Sequence, residues 1–267
     1  PDRYQGGVHE SAAPLYFCME FLGQIYQRPG ENGADRNDTA AKRHTPEHPH
    51  DAGKRAQQVD IEIIYDTVCP WCYIGKRRLD QAMAMRPNLQ VTTHWRPFLL
   101  NPELPPDGVD RTAYLVKKFG SETRVRRIYG AIGEAGQSVE IDFAFDRIQK
   151  TPNSVDSHRL VKFADRAGVA DQIVEALFVG YFVHGLDIGE TPILLDIGVE
   201  HGLDRHDLER YLKSDEDLET VTQDNARAHR LGVNGVPSFV FDGPMVISGA
   251  QEPQILARML DAAASAA

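Results

Sequence analysis

The sequence predicts an α/β fold in which a βαβ unit and a ββα unit are separated by a large inserted helical domain. Three observations carry this. Residues 59–66 (VDIEIIYD) are β-branched and alternating, and helical periodicity follows over 69–86, then a second strand pattern over 91–96 (VTTHWR). Near the end, 238–242 (SFVFD), Gly243-Pro244 and 245–248 read as a hairpin, with a helical stripe over 252–264 behind it. Between these units lie roughly 100 residues of helical pattern.

The elements follow in order. Residues 15–26 form the first apolar patch, a candidate short amphipathic helix. From 28 to 58 alanine is the only hydrophobic type, and the stretch is rich in Gly, Pro, Asn, Asp, His and Lys, so residues 1–58 are expected to be a disordered tail. Residues 59–105 form the first part of the core. In its helix, Pro70 suits the first turn, Cys72, Leu79, Ala82, Met83 and Arg86 share one stripe, and Pro87-Asn88 ends it. A strand–helix–strand unit places its strands parallel in one sheet. Residues 106–189 are the helical insertion, with helices expected over 111–120, 121–134, 154–167 (capped by Ser154) and 171–183. Residues 190–267 begin with helices and end in the second part of the core. Thr191-Pro192 reads as a cap and first turn, Asp204 caps the next helix, and Ser214 with Asp217 resembles a capping box for a helix closed by Gly232. The simplest assembly is a helical block inserted into a thioredoxin-like βαβ…ββα core.

Composition narrows the function classes. The chain has 267 residues, 42% hydrophobic and 25% charged, which is ordinary globular usage. No apolar run reaches the 18 or so residues of a membrane span. Net charge is −10, against non-specific nucleic-acid binding. Residues 1–58 hold 7 Lys/Arg and 8 Asp/Glu, so nearly all of the negative charge belongs to the folded part. Three cysteines are too few for a secreted disulfide scaffold. No secretory signal is legible, which points to the cytoplasm, where a C-x-x-C pair is catalytic more often than structural.

Cys69-Pro70-Trp71-Cys72 sits at a strand-to-helix turn. Cys69 then meets the unpaired N–H groups and the positive dipole end of the helix, and both favour thiolate over thiol. Cys72, three positions on, can attack a mixed disulfide on Cys69. Cys69 is therefore expected to be the exposed nucleophile and Cys72 the resolving thiol. A zinc half-site is the competing reading; it needs two more ligands, and only Cys18 and the tail residues His44, His48 and His50 offer them, so no metal is expected. An inert structural pair fits poorly with a Pro-Trp turn after a strand. Val236-Pro237, directly before the strand SFVF, is a cis-proline candidate that would hold an extended substrate beside the cysteines. No G-x-G-x-x-G, phosphate-binding loop or G-x-S-x-G occurs.

Four segments, YDTVCPWCYIGKRRL, PNSVDSHRL, GVNGVPSFVF and ISGAQ, resemble the DsbA-like thioredoxin superfamily, and more narrowly its FrnE branch of cytoplasmic bacterial relatives. The resemblance runs from about residue 59 to 264. It implies a thioredoxin fold with a helical insertion, thiol–disulfide oxidoreductase activity on protein or small-molecule thiols, and no bound cofactor. It makes Cys69 and Cys72 the redox pair, places a cis-proline at Pro237 after Val236, and brings Asn153 and His158 near the cleft. Some FrnE relatives carry a second cysteine pair; the folded part of this chain has none. The 2-hydroxychromene-2-carboxylate isomerases and kappa-type glutathione transferases resemble the same scaffold, with serine at the first cysteine position and glutathione as co-substrate. They supply the alternative function, and glutathione is the candidate co-substrate here.

Other residues read more plainly. Asp66 is expected to cap the loop at the strand end, since its charge opposes thiolate formation nearby. Trp71 is expected at the surface beside the cysteines, as a substrate contact together with Pro70. His158 is a candidate for proton transfer, against a structural reading as a core or helix-surface histidine. His94 and Trp95 are expected to be sheet packing, and Cys18 a free thiol in the tail.

Overall fold

The computed structural model describes residues 57–241 and 245–266. The tail, the helix expected over 15–26, Cys18, the three tail histidines and the Gly243-Pro244 turn lie outside the described residues.

A four-stranded sheet has the order β2-β1-β5-β6. β1 (Gln57–Tyr65) and β2 (Leu89–Pro97) pair in parallel, with Ile61 opposite Thr93 and Ile63 opposite Trp95. On its other edge β1 pairs antiparallel with β5 (Ser238–Phe241), and β5 with β6 (Val246–Ser248). Because β1 is central, both of its faces are covered. Val59, Ile61, Ile63 and Tyr65 enter the main core, while Ile64 joins Phe98, Ala228 and Val233 on the opposite face. This explains the Ile-Ile pair that interrupts the alternation. β1 begins two residues earlier than the sequence predicts, so Gln57 and Gln58 belong to the sheet and not to the tail.

Helix α1 (Pro70–Ala84) links β1 to β2, and α9 (Pro253–Ala266) packs against both α1 and β1. Between the sheet halves run α2 (Arg111–Phe119), α3 (Glu122–Gln137), α4 (Val155–Asp165), α5 (Ala170–Phe182), α6 (Thr191–Glu200), α7 (Arg205–Lys213) and α8 (Leu218–Arg230). α4 contacts α5, α6, α7 and α8, making it the centre of the helical block. A two-stranded ribbon, β3 (Val109–Asp110) with β4 (Lys150–Thr151), closes the base of the insertion. Strands of two residues carry no period, so the sequence does not announce them.

Three caps differ from expectation. Ser154 occupies the α4 N-cap but its side chain does not cap; Asn153 Oδ1 accepts from the Val155 N–H at 3.0 Å instead. Thr191 is already helical, with Glu190 at the N-cap. Ser214 is no capping-box partner: its hydroxyl donates to Tyr211 O at 2.7 Å and accepts from Glu216 N at 3.1 Å, closing α7 rather than opening α8. Asp217 sits at the α8 N-cap with φ 62° and makes no cap bond. Asp204 caps α7 as expected, accepting from Asp207 N at 2.9 Å.

Candidate active site

β1 ends at Tyr65, and the chain turns through Asp66, Thr67 and Val68 into α1. Cys69 is the N-cap residue of α1, in extended conformation (φ −99°, ψ 112°), with Pro70 in the first turn. Proline costs the helix nothing there, since a first-turn N–H has no intrahelical acceptor. The Cys69 N–H donates to Asp66 O at 3.1 Å, and the Cys72 and Tyr73 N–H groups donate back to Cys69 O at 3.0 and 3.4 Å. The turn is thus tied at both ends, and the α1 N-terminus is aimed at Cys69.

Both cysteines are free thiols. Cys69 is only 5% exposed, which corrects the expectation of an exposed nucleophile: its thiol faces the carbonyl of Val236, donating at 3.7 Å. The peptide bond Val236–Pro237 is cis, as the sequence comparison of motifs suggested. Pro237 itself is buried, its carbonyl engaged by Gly249 N at 2.7 Å, while Val236 is half-buried at the cleft. α1 reaches this loop closely because residue 75 is glycine; a Cβ there would stand 2.7 Å from Pro237 Cγ.

Cys72 lies 1% exposed beneath Cys69. Burial, then hydrogen bonding to Cys69 and the negative charge of Cys69, push its thiol well above the ordinary range; the Asp66 N–H at its sulfur opposes this only in part. Tyr65, fully buried beside it, is likewise pushed up by burial, then by the charges of Asp66 and Cys72. Asp66 does cap the loop, as expected. Its Oδ1 accepts from Val68 N at 3.3 Å and its Oδ2 from Leu100 N at 2.7 Å, so it also anchors the chain segment after β2.

The remaining residues separate. Trp71 is half-buried and rests partly on the core, so only part of the ring faces solvent. Asn153 uses both ends of its amide within the protein, donating to Leu104 O at 2.9 Å while it caps α4. His158 is fully buried, 3.4 Å from Asp66, and therefore stands behind the turn rather than where substrate would lie. Trp95 packs against Tyr65, whereas His94 is half-exposed and reaches Asp60 at 3.5 Å, so only Trp95 of that pair is packing.

Sequence reasoning missed Lys76, one turn after Cys72. It is 5% exposed and contacts Asp80 and Asp171 at 3.1 Å and Glu175 at 3.5 Å. Burial pulls its amine down, but the three carboxylates outweigh burial and hold it above its ordinary value. Glu175 also takes Arg77 at 2.6 Å and the Tyr73 hydroxyl at 3.0 Å, so one carboxylate on α5 pins the exposed side of α1. The signal was present as charges at i and i+4, but carboxylates about a hundred residues away are not legible from spacing.

Among the described residues no cluster of three or more His, Cys, Asp or Glu could hold a metal, and no helix is long and apolar enough to cross a membrane.

A βαβ…ββα core with a helical insertion, and a cysteine pair opening its first helix opposite a cis-proline loop, define a thioredoxin-fold protein with a dithiol site. The chain belongs to the DSBA-like thioredoxin domain family, whose model matches residues 60–261. It is similar to the uncharacterized protein YwbO of Bacillus subtilis, 25% identical over 193 residues, which span 72% of this chain and 90% of that one. Among solved structures it is similar to the probable DsbA oxidoreductase SCO1869 of Streptomyces coelicolor, with 27% identity, a TM-score of 0.69, and coverage of 77% of this chain and 89% of that one. A 2-hydroxychromene-2-carboxylate isomerase shares the fold at 16% identity and a TM-score of 0.59, covering 78% of this chain and 95% of its own.

Proposed function

We propose that this protein is a DsbA-like thiol–disulfide oxidoreductase that exchanges through Cys69-Pro70-Trp71-Cys72. The observation that carries the reading is the position of Cys69: a free thiol at the N-cap of α1, Cys72 one turn below it, and the Val236 carbonyl across from it.

Cys69 attacks a substrate disulfide. One sulfur of the substrate bonds to Cys69, and the other leaves as a thiolate. Cys72 then attacks Cys69, forming the Cys69–Cys72 disulfide and releasing the second substrate thiol. The dithiol is oxidised by two electrons and the substrate disulfide is reduced; the reverse sequence oxidises a substrate dithiol. The helix N-terminus stabilises Cys69 as attacking and as leaving thiolate. Val236 presents backbone to an extended substrate, and Trp71 and Pro70 supply apolar surface beside it. Asn153 shapes the cleft through the chain segments that it ties together. No bound cofactor is required, glutathione is the candidate co-substrate, and a reducing, cytoplasmic setting suits a catalytic C-x-x-C.

The test is the equilibrium potential of the Cys69–Cys72 pair in glutathione buffers, read by alkylation and mass spectrometry. A value between about −270 and −120 mV is expected, the span of working thioredoxin-fold couples. A pair that forms no disulfide in any buffer would falsify the redox reading. Retention of glutathione-dependent isomerisation by a Cys69→Ser variant would move the isomerase alternative ahead of it.

A further inference from the structure

Charge is unevenly placed along this chain. Residues 111–127, all of α2 and the first turns of α3, hold six Lys/Arg and one Glu, a net of +5 in a chain of net −10. The rest of the chain therefore carries −15. Lys117 and Lys118 lie in the last turn of α2 and complement its dipole. The arginines of α3 have no such account. Arg124, Arg126 and Arg127 stand in its first two turns, where the dipole favours carboxylates, and Arg124 and Arg127 are like charges three residues apart. Arg126 reaches Glu122 at 3.4 Å, but both side chains are exposed and such a pair contributes little. Lys117 and Arg127 are exposed and enter no ion pair among the described residues. Beneath the hairpin Arg111 is 7% exposed, and its guanidinium donates to the hydroxyls of Tyr181 and Tyr129, each at 2.7 Å, with no carboxylate against it. The hairpin is thus a concentrated positive surface on an acidic molecule.

It is joined to the cysteine turn. Lys118 Nζ donates to the Tyr114 hydroxyl at 2.8 Å and to Asn101 Oδ1 at 3.3 Å, and Tyr114 donates to the same amide oxygen. Leu100, next to Asn101, gives its N–H to Asp66 Oδ2 at 2.7 Å, and the Asp66 carbonyl accepts from the Cys69 N–H at 3.1 Å. Leu100 itself is exposed along this route.

We propose that the α2–α3 hairpin is a docking surface for an acidic polypeptide segment beside the cysteines of a substrate protein, with Lys117, Lys118 and Arg127 meeting its carboxylates. The proposal rests on the dithiol–disulfide reading. The cations are spread over two helices, which suits a chain bearing several carboxylates rather than a single small anion. Exposed charges are screened beyond about 8–10 Å at physiological salt, so a short acidic segment on the hairpin meets the local positive charge alone. A nucleic acid or a membrane surface would extend over the acidic remainder and be repelled.

The experiment compares two peptides with the same internal disulfide, one flanked by a run of glutamates and the other by glutamines. Each is mixed with reduced protein, and reduction is followed by acid quench, alkylation and mass spectrometry. The acidic peptide is expected to react about 10-fold faster at low salt, the lower end of electrostatic steering. High salt should abolish that ratio. Combining Lys117→Gln with Arg127→Gln should bring the ratio close to one. Removing the same charge from α7, by Arg205→Gln with Arg210→Gln, should leave it in place. A ratio near one in the unaltered protein overturns the proposal, as does an equal loss in the α7 variant, which would reduce the effect to net charge. Glutathione disulfide is the small-anion probe; if its reduction slows in the hairpin variant as much as that of the acidic peptide, the surface reads single anions and the proposal fails. It fails too if the peptide ratio is absent and the hairpin variant instead loses binding to phosphatidylserine vesicles or an oligonucleotide, or self-association at low salt. Reduction of neither peptide by the unaltered protein would sink the redox reading beneath it.

Discussion

At the scale of single residues the site is organised by what surrounds the Cys72 sulfur. Burial, the Cys69 sulfur and the Asp66 charge all disfavour its thiolate, so the folded protein keeps a proton there that an unfolded chain would lose. An unfolded cysteine ionises near pH ~8.5. The stabilisation is therefore complete below about that pH and declines as pH rises toward the folded thiol's own, higher value. Urea midpoints of the reduced protein should fall between pH 8 and 10, and a Cys72→Ser variant should show a shallower fall. Equal slopes would mean that Cys72 is not held as a thiol. Tyr65 adds a separate decline only above about pH 10, where an unfolded tyrosine ionises.

At the scale of elements the helix α1 must satisfy two neighbours at once: the Val236–Pro237 loop over Cys69, and α5 through Glu175. Gly75 permits the first contact. In an ordinary exposed helix a Gly-to-Ala change gains about 1 kcal/mol. Here the added methyl meets the rigid Pro237 ring at 2.7 Å, and overpacking of this kind costs about 1–3 kcal/mol. Gly75→Ala should therefore lower the melting temperature despite its better helix propensity, and slow mixed-disulfide formation at Cys69 by moving the Val236 carbonyl. A raised melting temperature with unchanged exchange would show that the loop yields freely. The same elements show what the sequence could reveal. The strands, α1 and the cysteine pair are local patterns, and they stood out: alternation, a first-turn proline and a C-x-x-C are all read within a few residues. Ser214 misled because a short hydroxyl side chain serves a preceding helix end as readily as a following one. Asp66 and His158 lie far apart in sequence, and their pairing depends on α4 docking behind β1, which no spacing encodes. The burial of Cys69 likewise depends on a loop from the far end of the chain.

For the whole molecule, the sequence reads as a helical block inserted into a core, and the interior does not divide along that boundary. One continuous cluster holds Ile61, Ile63 and Tyr65 of β1, Tyr73 of α1, Phe178 and Phe182 of α5, and Leu256 and Leu260 of α9. Its centre is an aromatic column. Tyr65 meets Trp95 edge-on at 4.8 Å and Phe178 at 6.3 Å, and Phe178 stacks on Tyr73 at 5.1 Å. Removing the helical block would expose the inner faces of β1 and α1 to water, and at about 1.5–3 kcal/mol for each large apolar side chain no sheet of this size would tolerate it. The block and the core should then unfold together. The two tryptophans, Trp71 and Trp95, both report from the core half, whereas far-ultraviolet circular dichroism is dominated by the helices of the insertion. In a urea titration the two signals should trace one transition with a common midpoint. A tryptophan transition displaced from the helical one would show that the aromatic column does not couple them, and the site built at their junction, with Asp66 on the core side and His158 on the helical side, would then be open to disruption without global unfolding.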